Sequence, residues 1–170
     1  TNILKKRYKL ENSTIIIGSA GRIVWQKGYD QILKVLQSYN FRDLKIHFLI
    51  AGDGSLRNSM IDSVKEKKLE KNISFIGNIN NIPEFLSGLD IYIQPSISEG
   101  YPLAVIEAMV AGIPIISSDA GGLKEMVINK KNGLVYKHGN IKDLFDVLNK
   151  TVLMSEKSLS KLADNAKKHV

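Results

Sequence analysis

Cysteine is absent from this sequence of 170 residues, which excludes both a disulfide scaffold and thiol catalysis. The absence of cysteine does not determine the cellular compartment of the protein, and a reducing compartment is compatible with it. No apolar run approaches the roughly 20 residues that a membrane-spanning helix needs. The chain begins with Thr1 instead of Met and has no signal-peptide core at its N-terminus, which indicates either processing or, as we expect, a piece of a longer protein.

Histidine is scarce, and metal-ligand patterns are missing. The three histidines are far apart, no Asp-x-Asp pair occurs, and no His and Cys residues have the spacing of a transition-metal site. We expect His47, which lies in a strand pattern, to be packed and not catalytic. The esterase pattern Gly-x-Ser-x-Gly is absent as well. These absences predict that the protein holds no catalytic metal.

Arginine is also scarce in a chain that is otherwise basic. Only four of the 24 basic residues are arginine, although the net charge is +7. Proteins that bind nucleic acid more often cluster arginine with aromatic residues, so we expect no nucleic-acid partner. The lysines are typical of a solvated surface. They also leave open an attraction to anionic lipids, which would allow peripheral association with a membrane.

Short apolar, β-branched runs alternate with helical patterns along the whole chain. Strands that alternate with helices of this length form a parallel sheet, and continuous apolar strands need helices on both faces. The sequence predicts one domain with a Rossmann-like α/β fold of about six strands. We expect strands at 14–19, 45–51, 73–76, 90–94, 114–117 and 134–136, and helices at 29–39, 55–69, 82–89, 102–111, 123–127, 141–153 and 157–170.

Five loops follow predicted strands and should meet at one edge of the sheet. They cover residues 21–28, 52–55, 77–81, 95–103 and 118–122. Ligands of such sheets bind at the carboxyl ends of the strands. Every side chain with candidate chemistry lies in one of these loops or directly after it, so we expect the functional site there.

Two carboxylates bracket the start of an apolar helix. Every residue from 103 to 111 is apolar except Glu107, and a helix that is apolar on all sides is buried. A buried Glu107 needs a partner, which would be a ligand hydroxyl or a structural salt bridge. Pro102 suits the first helical position, and Glu99 lies just before it. Because a helix start favours phosphate, we predict a nucleotide site here.

Two other loops carry weaker signals. Arg22 and Lys27 share the loop after the first strand and could clamp a diphosphate, although incidental surface charges are equally compatible with this pattern. The segment 52–55 resembles a phosphate loop but lacks the Walker spacing and lysine. We interpret it as a strand-to-helix turn in which Ser55 caps the following helix.

Six short motifs, each weak by itself, occur in an order that is specific. The motifs are Gly21-Arg22 with Lys27-Gly28, Ala51-Gly52-Asp53-Gly54, Phe75-Ile76-Gly77, Pro95-Ser96 with Glu99-Gly100 and Glu107-Ala108-Met109, Gly112-Ile113-Pro114, and Gly121-Gly122 with Glu125. In this order they resemble the C-terminal, donor-binding half of the GT-B-fold retaining glycosyltransferases of the "glycosyl transferases group 1" family, over residues 15–170.

The resemblance implies catalytic roles for three residues. Arg22 and Lys27 would hold the donor diphosphate and stabilise the leaving nucleotide, and Glu99 would contact the transferred sugar. Glu107 would accept hydrogen bonds from the ribose. Pro102 stands where many members have glycine and removes one backbone N–H. The further nucleotide-sugar-binding positions that the resemblance implies are Gly21, Gly77, Asn78, Gly100, Tyr101, Pro102 and Leu103.

The resemblance also implies what the whole protein does. Residues 1–170 would be the nucleotide-sugar-binding half of a two-domain enzyme whose acceptor-binding N-terminal domain lies outside this sequence, and this half alone would be inactive. The enzyme would transfer a hexose-type sugar from a UDP- or GDP-sugar to a glycan or lipid-linked acceptor, without a cofactor. We expect a role in polysaccharide biosynthesis in the cytoplasm, at the inner face of the membrane.

Two alternatives stay open at this point. One is a GT-B-fold epimerase that uses the same nucleotide-sugar pocket without transferring the sugar. The other is a non-catalytic Rossmann-like binding module. A receiver-like module of that kind should carry acidic residues after its first strand, where this chain has Arg22 and Lys27 instead.

Overall fold

The computed structural model describes residues 2–41 and 44–170, which form a single six-stranded sheet with helices on both sides. All neighbouring strands are parallel, and their order is β3-β2-β1-β4-β5-β6. This confirms the predicted Rossmann-like fold. The strands are β1 (Ile15–Ala20), β2 (Ile46–Ala51), β3 (Ile73–Gly77), β4 (Ile91–Gln94), β5 (Ile115–Ser118) and β6 (Leu134–Tyr136).

The strand order reverses between β1 and β4. Chain order runs outward from β1 to β3 on one side and from β4 to β6 on the other. The chain segments that follow β1 and β4 therefore continue to helices on opposite faces of the sheet. In open α/β sheets this switch point is the usual place for a ligand. Both predicted catalytic loops, 21–28 and 95–103, start at it.

The described residues include α1 (Ile3–Arg7), α2 (Asp30–Ser38), α3 (Arg57–Glu66), α4 (Ile82–Ser87), α5 (Leu103–Val110), α6 (Leu123–Met126), α7 (Ile141–Val152) and α8 (Glu156–His169). The expected helices are present, with ends that differ by a few residues. The capping role predicted for Ser55 is wrong, because α3 starts after Leu56 without a side-chain cap.

The helix α1 was not expected from the sequence. Its N-cap is Asn2, whose side-chain oxygen accepts from the amides of Leu4 and Lys5. The amide nitrogen of the same side chain donates to the Gly88 carbonyl at 2.8 Å, and Leu4 is fully buried. These contacts reach across 86 positions of the chain, so a five-residue helix is stabilised by tertiary packing that local patterns do not report.

Two hydrophobic clusters cover the two faces of the sheet. Successive strand residues point to opposite faces, so Ile17 and Phe48 join one cluster while Ile16 and Leu49 join the other. Helices α2, α3 and α7 pack on the first face, and α4, α5 and α8 on the second. The burial of both faces explains why the strands are continuously apolar.

The predicted burial of Glu107 is wrong. Val105, Ala108 and Met109 of α5 are buried against the sheet, but Glu107 is exposed, and Leu103 retains 64% of its surface. The exposed positions include Leu103, Glu107 and Val110, which share one face of the helix. Composition predicted an apolar helix correctly, but nothing in the described structure covers this face. Pro102 also lies at the N-cap and not at the first helical position.

His47 is buried in β2, as predicted, and is hydrogen-bonded on both ring nitrogens. Nδ1 lies 3.0 Å from the Lys71 carbonyl, which can only accept, so Nδ1 carries a proton. Nε2 lies 2.9 Å from the Ser74 hydroxyl. Burial lowers the pKa of His47 below its ordinary value, and this effect outweighs the hydrogen bond to Lys71, which opposes it. The folded protein therefore favours the neutral form of His47.

We expect the stability of the fold to decrease as the pH falls below about 6.5, because the unfolded chain then binds a proton that folded His47 resists. Urea-unfolding midpoints at pH 7.5 and 5.5 measure this effect. His47→Asn should reduce the difference between the two midpoints, whereas His169→Asn, in an exposed last turn, should leave it unchanged. An undiminished difference in His47→Asn would contradict the assignment.

Candidate functional site

The loops at the carboxyl edge of the sheet are bonded to one another. The loops after β1, β2 and β3 form one group, and those after β1, β4 and β5 form another. The backbone hydrogen bonds that join them are Gly21 N to Ala51 O (3.0 Å), Gly52 N to Gly77 O (2.7 Å), Ile97 N to Gln26 O (2.8 Å) and Gly122 N to Glu99 O (2.9 Å). These bonds connect the loops into one frame for the side chains that they carry.

Two glycines permit close approaches between the loops that carry Lys27 and Glu99. Gly28 has a φ of 65°, and a Cβ atom there would lie 2.1 Å from the Pro95 carbonyl oxygen. Gly121 has a φ of 49°, and its Cβ would lie 2.1 Å from the carbonyl oxygen of Glu99. Only glycine tolerates both the conformation and the contact. These glycines hold the loops that carry Lys27 and Glu99 in place.

Lys27 and Glu99 form an ion pair at the switch point. The Lys27 Nζ donates to Glu99 Oε2 at 2.6 Å, and the two side chains are 20% and 9% exposed. The Lys27 stem passes over Gly21, within 3.7 Å of the position that a Cβ would take there. Two of the three predicted catalytic side chains are therefore in direct contact, although 72 positions separate them in sequence.

Further polar side chains donate hydrogen bonds to Glu99, and the sequence did not lead us to predict them. Ser96 Oγ donates to Glu99 Oε2 at 2.9 Å, and Gln94 Nε2 lies 3.3 Å from the same oxygen. Gln94 Nε2 also donates to Ser96 Oγ at 2.9 Å, and the Tyr92 hydroxyl donates to Gln94 Oε1 at 2.9 Å. We call Tyr92, Gln94 and Ser96 the β4 relay.

A signal for the β4 relay does exist in the sequence. Its members occupy alternate positions of an apolar strand and its extension, so their side chains point to the same side. Buried polar groups at such positions need hydrogen-bond partners. The pattern indicates a polar contact, but it does not identify Glu99 as the partner, because the loop between them decides that.

Tyr29 is a second buried hydroxyl under the site. Its oxygen lies 3.3 Å from Ser19 Oγ. The pKa of Tyr29 is raised to about 12, chiefly by burial and also by the negative charge of Glu99, while the contact with Ser19 opposes the shift. Tyr29 therefore stays a neutral hydroxyl at physiological pH and adds no charge next to the ion pair.

A groove of about 230 Å³ brings together three of the predicted binding residues. Gly21, Arg22 and Asn78 line it, together with the turn that follows β2. Arg22 is exposed, so its guanidinium is accessible to a ligand in this groove. Gly77, whose carbonyl accepts from the Gly52 amide, lies at the same edge.

A second groove, of about 380 Å³, lies at the start of α5. Gly100, Tyr101 and Pro102 line one side of it, and α6 and the end of α8 line the other. Tyr101 is 69% exposed. Glu107 lines neither groove and has no ion pair or hydrogen bond among the described side chains, so the salt-bridge interpretation of this residue is wrong.

The turn between Val24 and Gly28 also presents an aromatic side chain. Residues Trp25–Lys27 form one turn of 3-10 helix, which Gly28 closes by donating its amide to the Trp25 carbonyl at 3.1 Å. Trp25 is 60% exposed, two positions from Lys27. The edge of the sheet therefore combines charged and large apolar surfaces.

Within residues 2–41 and 44–170, no group of three or more His, Cys, Asp or Glu side chains is placed to hold a metal ion. Over the same residues, no helix is both long and apolar enough to cross a membrane.

The sheet order, the helices on both faces and the grooves at the carboxyl edge define a Rossmann-like half of a GT-B fold. The chain belongs to the family of glycosyl transferases group 1, whose model matches residues 1–169. This confirms the resemblance found in the motifs.

Two relatives illustrate this membership. An uncharacterized glycosyltransferase of Haemophilus influenzae is 34% identical over 140 residues, which are 82% of this chain and 39% of that protein. The O-antigen biosynthesis glycosyltransferase WclY of Escherichia coli is 33% identical over 115 residues, 68% of this chain and 31% of that protein. This chain thus covers well under half the length of either relative.

Solved structures show the same fold. HepE of Anabaena, in complex with UDP and glucose, superposes with a TM-score of 0.87 at 20% identity over 98% of this chain and 46% of that one. The C-terminal domain of the group 1 protein LpcC from Francisella tularensis has a TM-score of 0.84 at 24% identity, and the match covers 99% of this chain and 90% of that one. Staphylococcus aureus TarM, in a complex that includes UDP, has a TM-score of 0.82 at 25% identity, and the match covers 91% of this chain and 31% of that one.

Proposed function

We propose that this chain is the nucleotide-sugar-binding domain of a retaining glycosyltransferase. The observation that carries the proposal is the Lys27–Glu99 contact of 2.6 Å at the switch point, beside the groove that holds Gly21 and Arg22. A cation for phosphate and a carboxylate for sugar hydroxyls are thereby adjacent, as the two halves of a nucleotide sugar require. The family membership and the fold support the proposal.

The roles divide along the length of the donor. Arg22 and Lys27 contact the diphosphate and offset the negative charge that develops on the leaving nucleotide. Glu99 orients the sugar through its hydroxyl groups. Glu107, which is exposed on α5, is free to accept hydrogen bonds from the ribose.

Backbone groups complete the proposed donor site. Gly77 and Asn78 lie near the base, and the amides of Gly100 and Tyr101 reach the sugar and the phosphates. The Leu103 amide donates to the Tyr101 carbonyl at 3.0 Å and is not available to the ligand in this conformation. Pro102 supplies no amide, so one backbone contact is absent there. The donor charge is offset by side chains of the chain itself, and no cofactor takes part.

We propose UDP as the nucleotide of the donor, in preference to GDP. Structures of HepE and TarM, which share this fold, contain UDP. The acceptor is a glycan or a lipid-linked glycan, which fits the O-antigen biosynthesis glycosyltransferase among the relatives. Polysaccharide assembly of this kind would place the enzyme in the cytoplasm, where its lysine-rich surface would be attracted to the inner face of the membrane.

The acceptor and further catalytic groups belong to a second domain outside these 170 residues. The exposed face of α5 and the exposed Tyr101 support this division, because they leave one side of the site open. This domain alone would bind the donor and transfer little or no sugar.

Calorimetric titration of the 170-residue chain with UDP, GDP and ADP tests the nucleotide site. We expect saturable binding of UDP with a Kd below about 1 mM, weaker binding of the other two, and a loss of at least about fivefold in Arg22→Ala, which removes a charged phosphate contact. Arg7→Ala is the matched control, since Arg7 pairs with Glu84 and not with the site.

Binding of none of the three nucleotides would contradict the proposal, and preferential binding of GDP would contradict the choice of donor. Product analysis with the whole protein separates transfer from epimerisation. A transferase forms product only when an acceptor is present, whereas an epimerase converts the nucleotide sugar without one.

A further inference from the structure

The β4 relay is oriented in one direction. A carboxylate only accepts, so the Ser96 hydroxyl donates to Glu99 and its oxygen accepts from Gln94 Nε2. The amide oxygen of Gln94 then faces the Tyr92 hydroxyl, which donates to it. The Tyr92 oxygen also lies 3.3 Å from both the amide nitrogen and the carbonyl oxygen of Ala20 at the end of β1, and Gln94 Oε1, at 2.9 Å, is the nearer acceptor of its proton. Each donor therefore points toward Glu99, an arrangement in which successive bonds strengthen one another.

All hydrogen bonds to the carboxylate of Glu99 converge on one of its two oxygens. Lys27, Ser96 and Gln94 each approach Oε2, whereas Oε1 accepts no hydrogen bond from the described residues. Ser96 and Gln94 are almost fully buried, so they cannot touch a ligand themselves. Whatever they contribute to the site acts through the orientation of Glu99.

Lys27 alone is a poor support for that orientation. In the proposed function its ammonium also serves the diphosphate, whose larger negative charge competes with Glu99 for it. The hydrogen-bond donor groups of Gln94 and Ser96 are neutral and buried, so a phosphate does not compete with Glu99 for them. They remain on Oε2 after Lys27 has turned to the ligand.

We propose that Gln94 and Ser96 are positioning residues for sugar recognition, which hold Oε2 of Glu99 so that Oε1 is presented to a hydroxyl group of the donor sugar. This inference rests on the proposed function. It assigns the donor's sugar moiety, and not its nucleotide, as the part of the ligand that the β4 relay affects.

The test compares binding of UDP, UDP-glucose and UDP-N-acetylglucosamine to the 170-residue chain by calorimetry. For the tighter of the two UDP-sugars, Ser96→Ala should lower the ratio of its affinity to that of UDP by about tenfold, because a hydrogen bond to a charged group is lost. The affinity for UDP itself should stay within about twofold. Ser117→Ala is the matched control, since Ser117 is equally buried but donates to the Ser118 carbonyl and not to the relay.

Tyr92→Phe provides a second, milder variant that keeps the volume of the side chain. It removes the donor to Gln94 and should lower the same ratio by about threefold, whereas Tyr136→Phe, another buried tyrosine, should not. Equal losses for UDP and the UDP-sugar, or unchanged ratios in both relay variants, would overturn the positioning role while leaving the nucleotide site intact. Failure of the unmodified chain to bind UDP would instead refute the proposed function and the positioning role with it.

Discussion

Lys27→Ala is expected to reduce sugar transfer by the whole protein by at least about 100-fold, the usual cost of removing one preorganised electrostatic contact to a transition state. The ammonium of Lys27 is held at the switch point by Glu99 and is only 20% exposed, so its charge acts in partly desolvated surroundings. Initial rates with a UDP-sugar and acceptor, analysed as kcat/KM, measure the loss.

Lys34→Ala is the matched control for this variant. Lys34 lies in α2, directly after the same loop, and forms an exposed pair with Asp30. Such pairs contribute little to stability, so this variant should keep its full activity. A Lys27→Ala enzyme with more than about a tenth of the original kcat/KM would contradict the electrostatic role of Lys27.

Glu99→Gln is expected to change two properties in opposite directions. Sugar transfer should fall by about 100-fold, because the carboxylate that orients the sugar is lost. Binding of UDP alone should become about three- to tenfold tighter, an effect on the order of 1 kcal/mol. The substitution removes a negative charge that both repels the diphosphate and occupies the ammonium of Lys27.

Calorimetry with UDP and rate measurements with the UDP-sugar on the same preparation test both parts. Glu84→Gln is a suitable control, since Glu84 pairs with Arg7 and belongs to neither groove that borders the ion pair. If Glu99→Gln weakens UDP binding, the ion pair supports the nucleotide site and does not compete with it, and the proposed division between phosphate and sugar is wrong.

The fold was predictable because its strands are defined locally. The runs at 15–17 and 115–116 consist of isoleucine alone, and polar residues or glycines stop the strands at the carboxyl edge. Parallel pairing then follows from the alternation with helices. The docking of α1 through Asn2 and Leu4 was not predicted because its contacts are non-local. The Ser55 cap, in contrast, is a local prediction that failed.

The site was predictable in its location but not in its detailed contacts. The sequence placed Arg22, Lys27 and Glu99 in loops at one edge of the sheet, and the structure joins Lys27 to Glu99. It could not reveal that Ser96 and Gln94 hold Glu99, because side-chain partners across a loop depend on the path of that loop. Glu107 was misjudged for a related reason, since apolar composition does not show which face of a helix is covered.

The single tryptophan gives this domain a built-in spectroscopic reporter. Trp25 lies on the 3-10 turn that carries Lys27, and its indole is largely in water before any ligand arrives. Its emission therefore reports on the surroundings of that turn, while unfolding changes it little because the ring is already hydrated. Ligand titrations can thus be followed optically without a label, and the unfolding of the core needs a separate probe such as circular dichroism.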